Sequence, residues 1–238
     1  MPGEAMKEIY RGKAKTLYEG EKDTAVMVFR DELTAGDGAK RAEKREKGSI
    51  NAEISAVLMQ LLERHGIKTH FISFQPPNRH VVKRLRILPV EVIVRNIATG
   101  SLVRRYPFEE GRKLEPPVVE FCLKSDEYHD PMLNEDIALA LGLVESVEEL
   151  REMRRIALEV NRVLREFLRE KGIVLVDFKL EFGYDAEGNL LVGDEITPDT
   201  CRFWDASTGE VMDKDRFRRD MGEVIEYYRE VRRRVCGG

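Results

Sequence analysis

An α+β fold of antiparallel strands and separate helices is the expectation for this chain, on three observations. Several short runs alternate apolar and polar residues with a period of two, which is the strand period. Three longer runs repeat apolar residues every three to four positions, which is the helix period. The two kinds of run do not alternate regularly, as a parallel α/β sheet would require. With 238 residues the chain can build one large domain or two small ones around a core.

Along the chain, strands are expected at 8–10, 16–18 and 25–29, with the Gly-rich DELTAGDGAK (31–40) as a loop. Ser49 is a plausible N-cap for a helix carrying Ile50, Ile54, Val57, Leu58, Leu61 and Leu62, which Gly66 stops. A short strand at 71–74 ends at Pro76-Pro77, and the β-branched run 90–94 is a buried strand. PFEEGRKLEPPVVEF (107–121) reads as loop and edge material. Asn134 to Leu141 is a short helix, closed by Gly142. Ser146-x-x-Glu149 is a capping box opening a long helix that ends at Gly172. A hairpin follows over 175–199, and Asp213 caps a final amphipathic helix through Phe217, Met221, Val224, Ile225 and Tyr228.

The charge is abundant but mixed, 40 Lys and Arg against 44 Asp and Glu. That balance argues against nucleic acid, which calls for a basic face or stripe. Three widely spaced cysteines make neither a disulfide framework nor a metal motif. No signal core and no apolar run of membrane-spanning length is present, so the cytoplasm is the expected location and no membrane partner is expected.

The hairpin carries the sharpest signal. Val176, Phe178, Leu180 and Phe182 take one parity, and Asp177, Lys179 and Glu181 the other. A two-residue turn at Glu187-Gly188 would set Glu181 opposite Asp194; a turn at Ala186-Glu187 would set Lys179 there. Either register puts Asp194 on the charged face, and directly opposite carboxylates would repel, which Lys179 could offset in part. Mg²⁺ held by one or two carboxylates and by phosphate oxygens would neutralise them, although a solvated hairpin face accounts for the pattern equally well. RGKAK (11–15) places Lys13 and Lys15 two apart beside Gly12, which suits a triphosphate but also an ordinary turn. In VEVIVRNIATGS (90–101), Arg95 and a Gly-Ser turn could hold a phosphate, or Arg95 could pair with Glu91. TPDTCRFWD (197–205) adds Asp199 and Arg202, and TAGDG (34–38) adds Asp37. KSDEYHDP (124–131) holds Lys124 and matches no standard metal spacing. Together these supply two phosphate sites, one metal site and no Ser or Cys nucleophile with a base.

The chain resembles the phosphoribosylaminoimidazole-succinocarboxamide synthases, or SAICAR synthetases. The resemblance covers nearly its whole length. It rests on YRGKAKTLY (10–18), TAGDGAK (34–40), LPVEVIVRNIATGS (88–101), HDPMLNE (129–135), LVDFKLEFG (175–183), GDEITPD (193–199) and RFWD (202–205). It implies a ligase that uses ATP to join a phosphoribosyl-aminoimidazole carboxylate to L-aspartate through an acyl phosphate, releasing ADP and phosphate. It implies two lobes with ATP between them: a kinase-like lobe over 1–85 for the ATP phosphates, and a larger lobe over 86–238 for the metal and the imidazole substrate. By motif, Lys13 and Lys15 would hold ATP phosphates, with Asp37 and Lys124 nearby. Lys83 and the Ile87-Leu88 segment would border adenine. Glu181 and Asp194 would bind Mg²⁺. Arg95, Ser101 and Arg202 would bind the phosphoribosyl substrate, and Asp177, Lys179 and Asp199 would line its pocket. Lys13, Lys15, Asp177, Lys179 and Arg202 would act directly on the reacting groups. Where the family often has small hydroxyl residues before that arginine, this chain has Thr200 and Cys201. A homodimer or other homo-oligomer is the expected assembly. The rival readings are a small-molecule kinase using the same ATP groups, and a nucleotide- or RNA-binding module using the basic run 40–47.

Overall fold

A computed structural model describes residues 6–237; residues 1–5 and 238 lie outside the description. The fold is α+β, and its strands fall into three antiparallel sheets. β1 (Glu8–Arg11), β2 (Lys15–Glu19), β3 (Thr24–Phe29), β7 (Arg79–Lys83) and β6 (Phe71–Gln75) form the first, in that spatial order. β4 (Glu32–Ala35) and β5 (Lys40–Glu43) form a separate hairpin. The second large sheet runs β10 (Met132–Leu133), β9 (Lys113–Leu123), β8 (Arg86–Ile97), β11 (Ile173–Tyr184) and β12 (Leu190–Val192). β13 (Cys201–Asp205) also pairs with β11. The two large sheets draw on the chain either side of Leu85, apart from a single bridge between Thr69 and Val192.

Two long helices cover the apolar faces. α4 (Val147–Glu170) lies on β11 and β8, burying Leu150, Met153, Ala157, Val160, Leu164 and Leu168. Fully burying one such side chain is worth about 1.5–3 kcal/mol, so this face, more than helix propensity, anchors the helix. α4 begins at the expected cap: Ser146 Oγ accepts from Glu149 N, while the Glu149 carboxylate accepts from Glu145 N, one residue before the cap rather than from the cap itself. α1 (Lys47–Arg64) packs against α4 and α6 (Val224–Cys236) and also meets β3, β6 and β7. The apolar parity of β11 is the centre of the core, with Val176, Phe178, Leu180 and Phe182 at most 1% exposed. Short helices α2 (Ser101–Arg105), α3 (Glu135–Ala140) and α5 (Asp215–Arg218) sit on connections; Asn134 caps α3 through Ile137 N. Among the described residues, no helix is long and apolar enough to cross a membrane.

Four local expectations need correction. DELTAGDGAK is a hairpin, because Gly36, Asp37 and Gly38 all take positive φ and turn the chain tightly enough for β4 and β5 to pair. The segment 107–121 contains most of β9, a long strand between β8 and β10. Pro116 and Pro117 fall where the ladder breaks, between the Ile97–Lys113 and Arg95–Val118 pairs, so no strand hydrogen bond is lost to them. α1 starts at Lys47, and Asp31 Oδ1 accepts from Gly48 N in place of a Ser49 cap. Asp213 accepts from Asp215 N beside the short α5, and the final helix begins only at Val224.

Candidate active site

The polar parity of β11 faces a cavity of about 870 Å³. Its walls also come from the 11–15 turn, the β4–β5 hairpin, β8, the 124–130 loop, the 194–202 segment and α5. The charged hairpin face is therefore the floor of a cleft, and Asp177 and Glu181 are only 4% and 5% exposed.

Strand pairing sets the charges in a row. Arg95 on β8 lies opposite Asp177 on β11, which lies opposite Arg202 on β13. Arg95 donates through Nε to Glu120 Oε2 at 2.5 Å, through Nη1 to Asp177 at 3.3 Å and through Nη2 to Ser101 Oγ at 2.8 Å. Arg202 donates to Asp177 at 3.0 Å and to Asp215 at 2.7 Å. Arg105 extends the chain beyond Glu120, and Arg218 beyond Asp215. Four arginines alternate with three carboxylates, leaving one positive charge in excess on a largely buried surface. Such a surface suits an anion such as a phosphate, with guanidinium forks and a hydroxyl as donors. Gly100 belongs to this arrangement. Its φ is +60°, and a Cβ there would lie 2.6 Å from Arg202 Nη2. Glu91, the alternative partner for Arg95, instead faces Lys179 at 3.1 Å.

A second group surrounds Glu181. Glu91 and Glu181 are direct cross-strand neighbours, a repulsive pair. Lys179 lies 3.1 Å from Glu91 and 3.8 Å from Glu181, and Lys124 lies 2.9 Å from Glu181. Burial alone would raise the Glu181 carboxyl, but Lys179, Lys124 and Lys15 outweigh it and hold it below the usual range. Burial likewise works against the Lys124 ammonium, and Glu181 reverses it, so its pKa is raised.

Neither anticipated hairpin register is present. Phe182 pairs with Val192 and Tyr184 with Leu190, one residue off both, and the ladder ends at Val192. Asp194 faces the cavity through its own backbone, a left-handed φ of 58°. There it meets Lys15, which also donates to Glu195 Oε1 at 3.1 Å. His70 anchors the turn on Asp194 O at 2.9 Å. Lys13 points to Asp126 at 2.8 Å, so the two lysines line one cavity with different carboxylate partners.

Among the described residues, no three or more His, Cys, Asp or Glu side chains are grouped to cage a metal. The donor chemistry fits Mg²⁺ delivered with phosphates: Glu181 and Asp194 are buried carboxylates with exchangeable lysine partners, and Mg²⁺ takes one or two carboxylates plus phosphate oxygens.

Asp199 lies deeper. It accepts from Lys47 at 2.5 Å, Asn51 at 3.0 Å and Tyr228 Oη at 2.6 Å. Burial would raise its carboxyl, but Lys47 and Lys214 keep it low. The mouth is lined by Asp37, whose carboxylate meets His129 at 2.9 Å. Cys201 is buried, and burial pushes its thiol well above the ordinary value.

Twelve anticipated residues line this one cavity: Lys13, Lys15, Asp37, Arg95, Ser101, Lys124, Asp177, Lys179, Glu181, Asp194, Asp199 and Arg202. Lys83 and Leu88 do not. Lys83 is exposed on β7, and the Leu88 side chain is 4% exposed in the core beside Val90 and Val92. Several contributors carry no motif. Glu120, Lys47 and Tyr228 pair with cleft charges only through long-range folding. Arg30 clamps the 11–15 turn by donating to Gly12 O at 2.7 Å and Lys13 O at 3.2 Å. Glu195, beside Asp194, is a further acid that accepts from Lys15, and no local pattern in the sequence points to that pairing.

The family model for SAICAR synthetase matches residues 8–235. The phosphoribosylaminoimidazole-succinocarboxamide synthase of Methanocaldococcus jannaschii is 56% identical over 227 residues, covering 95% of this chain and 93% of the relative. That of Pyrococcus furiosus is 54% identical, covering 97% of each. A solved SAICAR synthetase (Type-2) in complex with ADP superposes with a TM-score of 0.93 at 49% identity, covering 96% of this chain and 97% of the other. The Ehrlichia chaffeensis synthase gives 0.94 at 41% identity, over 98% of this chain and 99% of the other.

Proposed function

The chain belongs to the SAICAR synthetase family, ATP-dependent ligases of purine biosynthesis that join phosphoribosyl-aminoimidazole carboxylate to L-aspartate and release ADP and phosphate, and from that premise we propose how its cleft divides the work. The observation that carries the division is the floor of the cavity, where two differently charged groups lie side by side on β8 and β11.

The arginine row receives the phosphoribosyl substrate. Arg95, Ser101 and Arg202 donate to its phosphate, and Asp177 fixes both guanidinium planes while Asp199 and Lys179 border the rest. Lys13 and Lys15 hold the ATP phosphates, with Asp37 and Lys124 beside them. Lys83 and the 87–88 segment border adenine. The support for that last placement is Gly183 and Gly193, against which Leu85 and Ile87 pack, bringing the segment beside the turn after β12 that carries Asp194. Glu181 and Asp194 hold Mg²⁺, which supplies neutralisation of phosphate charge when bound.

A carboxylate is a poor electrophile, and an amine only neutralises it. The imidazole carboxylate oxygen attacks the terminal phosphorus of ATP, and ADP leaves. The acyl phosphate so formed is attacked at its carbonyl carbon by the neutral amine of aspartate, and inorganic phosphate leaves with one former carboxylate oxygen. Phosphoryl transfer depends mostly on position and charge neutralisation, a role that Lys13, Lys15, Lys124 and Lys179 on the cavity wall would fill. Among the described residues, the cysteine lining the cavity, Cys201, has its thiol pKa raised by burial, which makes it a poor nucleophile.

We propose the two-lobe arrangement for 1–85 and 86–238, with ATP between the lobes, and the two separate large sheets support it. Cytoplasmic placement and a homodimer or other homo-oligomer complete the reading. Exposed Ile137, Leu139 and Leu141 supply apolar surface for a second copy. The ligase reading stands above the small-molecule kinase, because the matching relatives are synthases. An assay of ADP release with each substrate omitted in turn tests it. All three substrates should be required, and aspartate-independent ADP release would favour the kinase.

A further inference from the structure

The turn between β1 and β2 carries Lys13 and Lys15, and one side chain from outside it fixes its shape. Lys15 pairs with Phe29 across the β2–β3 ladder, so Arg30 leaves β3 directly beside the turn. The Arg30 backbone N–H donates to Ala14 O at 2.8 Å. Its guanidinium donates through Nη2 to Gly12 O at 2.7 Å and to Lys13 O at 3.2 Å. Nη1 donates to Thr16 Oγ1 at 2.5 Å, and Thr16 is buried. Three consecutive carbonyls, from Gly12 to Ala14, therefore accept from one residue.

Arg30 is not a spare cation. Glu32 accepts from Nε at 3.1 Å and from Nη2 at 3.2 Å, which neutralises the guanidinium and sets its plane. Only one N–H, on Nη1, is left over. The turn itself is closed by Gly12 N–H donating to Lys15 O at 2.9 Å. Among the described residues, the N–H groups of Lys13 and Ala14 make no hydrogen bond, so they stay available to an anion. Lys13 and Lys15 thus leave a fixed backbone on the cavity wall, and the carbonyl oxygens that would repel a phosphate are already covered by donors.

We propose that Arg30 is a positioning residue for ATP. It shapes the 11–15 turn so that Lys13 and Lys15 meet the phosphates, and it acts through that backbone, not through its own charge. This inference rests on the reading that those two lysines hold the ATP phosphates.

The test is steady-state kinetics of Arg30→Lys, alone and combined with Lys15→Ala. An ammonium keeps the charge but cannot hold Thr16, Gly12, Lys13 and Glu32 at once. The KM for ATP should rise roughly tenfold, while the KM values for the ribotide and aspartate and the kcat at saturating ATP stay within about twofold. In the Lys15→Ala background the same substitution should cost only about threefold or less, because a group that Arg30 positions is gone. Full additivity of the two substitutions would mean that Arg30 acts by itself and would overturn the proposal. A rise in all three KM values together would mark a general structural defect and would overturn it as well. If Arg30→Lys does not fold, Thr16→Val removes the Nη1 acceptor at nearly constant volume: its ATP KM should rise selectively, and an unchanged value refutes the positioning role. A normal ATP KM in Lys15→Ala alone would remove the reading of the lysines and this inference with it. A weakened Lys15→Ala beside a normal Arg30→Lys removes the inference alone.

Discussion

Replacing Glu181 by Gln should separate activity from stability. In the protein as folded, Glu181 is 5% exposed, faces Glu91 across the ladder and lies 2.9 Å from Lys124. The Lys124 side chain is 36% exposed, so the ion pair is screened and worth about 0–1 kcal/mol. Removing the charge also relieves the repulsion from Glu91, a term of about 0.2–1 kcal/mol in the opposite direction. The net change in stability should be within about 1 kcal/mol, a Tm shift of roughly 2–4 °C for a chain of this size. Function should respond differently. Loss of a charged ligand for Mg²⁺ costs about 1.5–3 kcal/mol, or roughly ten- to a hundredfold in turnover at sub-saturating Mg²⁺. Thermal unfolding together with ADP release across a Mg²⁺ titration measures both. A variant that melts normally and turns over normally throughout the titration would refute the metal role. A variant that melts more than about 10 °C early would show Glu181 to be a structural member of the sheet.

Lys15→Ala should weaken ATP at least about tenfold and the ribotide much less, since a charged hydrogen bond to phosphate is lost; equal effects on both substrates in equilibrium binding would contradict the assignment. Arg95→Lys should be poorly tolerated, because an ammonium cannot reproduce contacts to Glu120, Asp177 and Ser101 at once; normal ribotide KM in that variant would make Arg95 a purely structural partner. Away from the cleft, Asp205 is held down to about 2 from 3.8, chiefly by Arg234 and also by the N–H groups of Thr208 and Ser207. Its folded pKa lies below its unfolded one, so its stabilising contribution is present above pH 3.8 and fades as pH falls toward 2. Asp205→Asn should therefore lower stability at pH 7 and converge on wild type near pH 2 in denaturant titrations; a gap independent of pH would show that the shift is not its origin.

The fold class and most elements were legible because the apolar periods of α1, α4 and β11 are long and unbroken. Loop chemistry was less so. The Gly36–Gly38 turn reads as a breaker from composition, whereas three consecutive positive φ values make it a tight hairpin. In β9 the two prolines argue against a strand, and only the break in the ladder shows why they are tolerated. The convergence of charges followed from parity in β11, so Asp177, Lys179 and Glu181 were placed on one face correctly. Asp194 reached that face for a reason outside parity, the left-handed turn after Val192. Partners such as Glu120 for Arg95 and Lys47 for Asp199 lie 25 and 152 residues away, and no local pattern records them.

The central claim is that the cleft activates the imidazole carboxylate as an acyl phosphate, and oxygen-18 in that carboxylate tests it most directly. Attack on the terminal phosphorus of ATP, followed by attack of aspartate on the carbonyl carbon, must carry one labelled oxygen into inorganic phosphate. Mass spectrometry of the released phosphate should find one heavy oxygen per turnover alongside ADP. Label in AMP would mean adenylation, and unlabelled phosphate with ADP would mean that water attacked ATP directly; either result contradicts the mechanism.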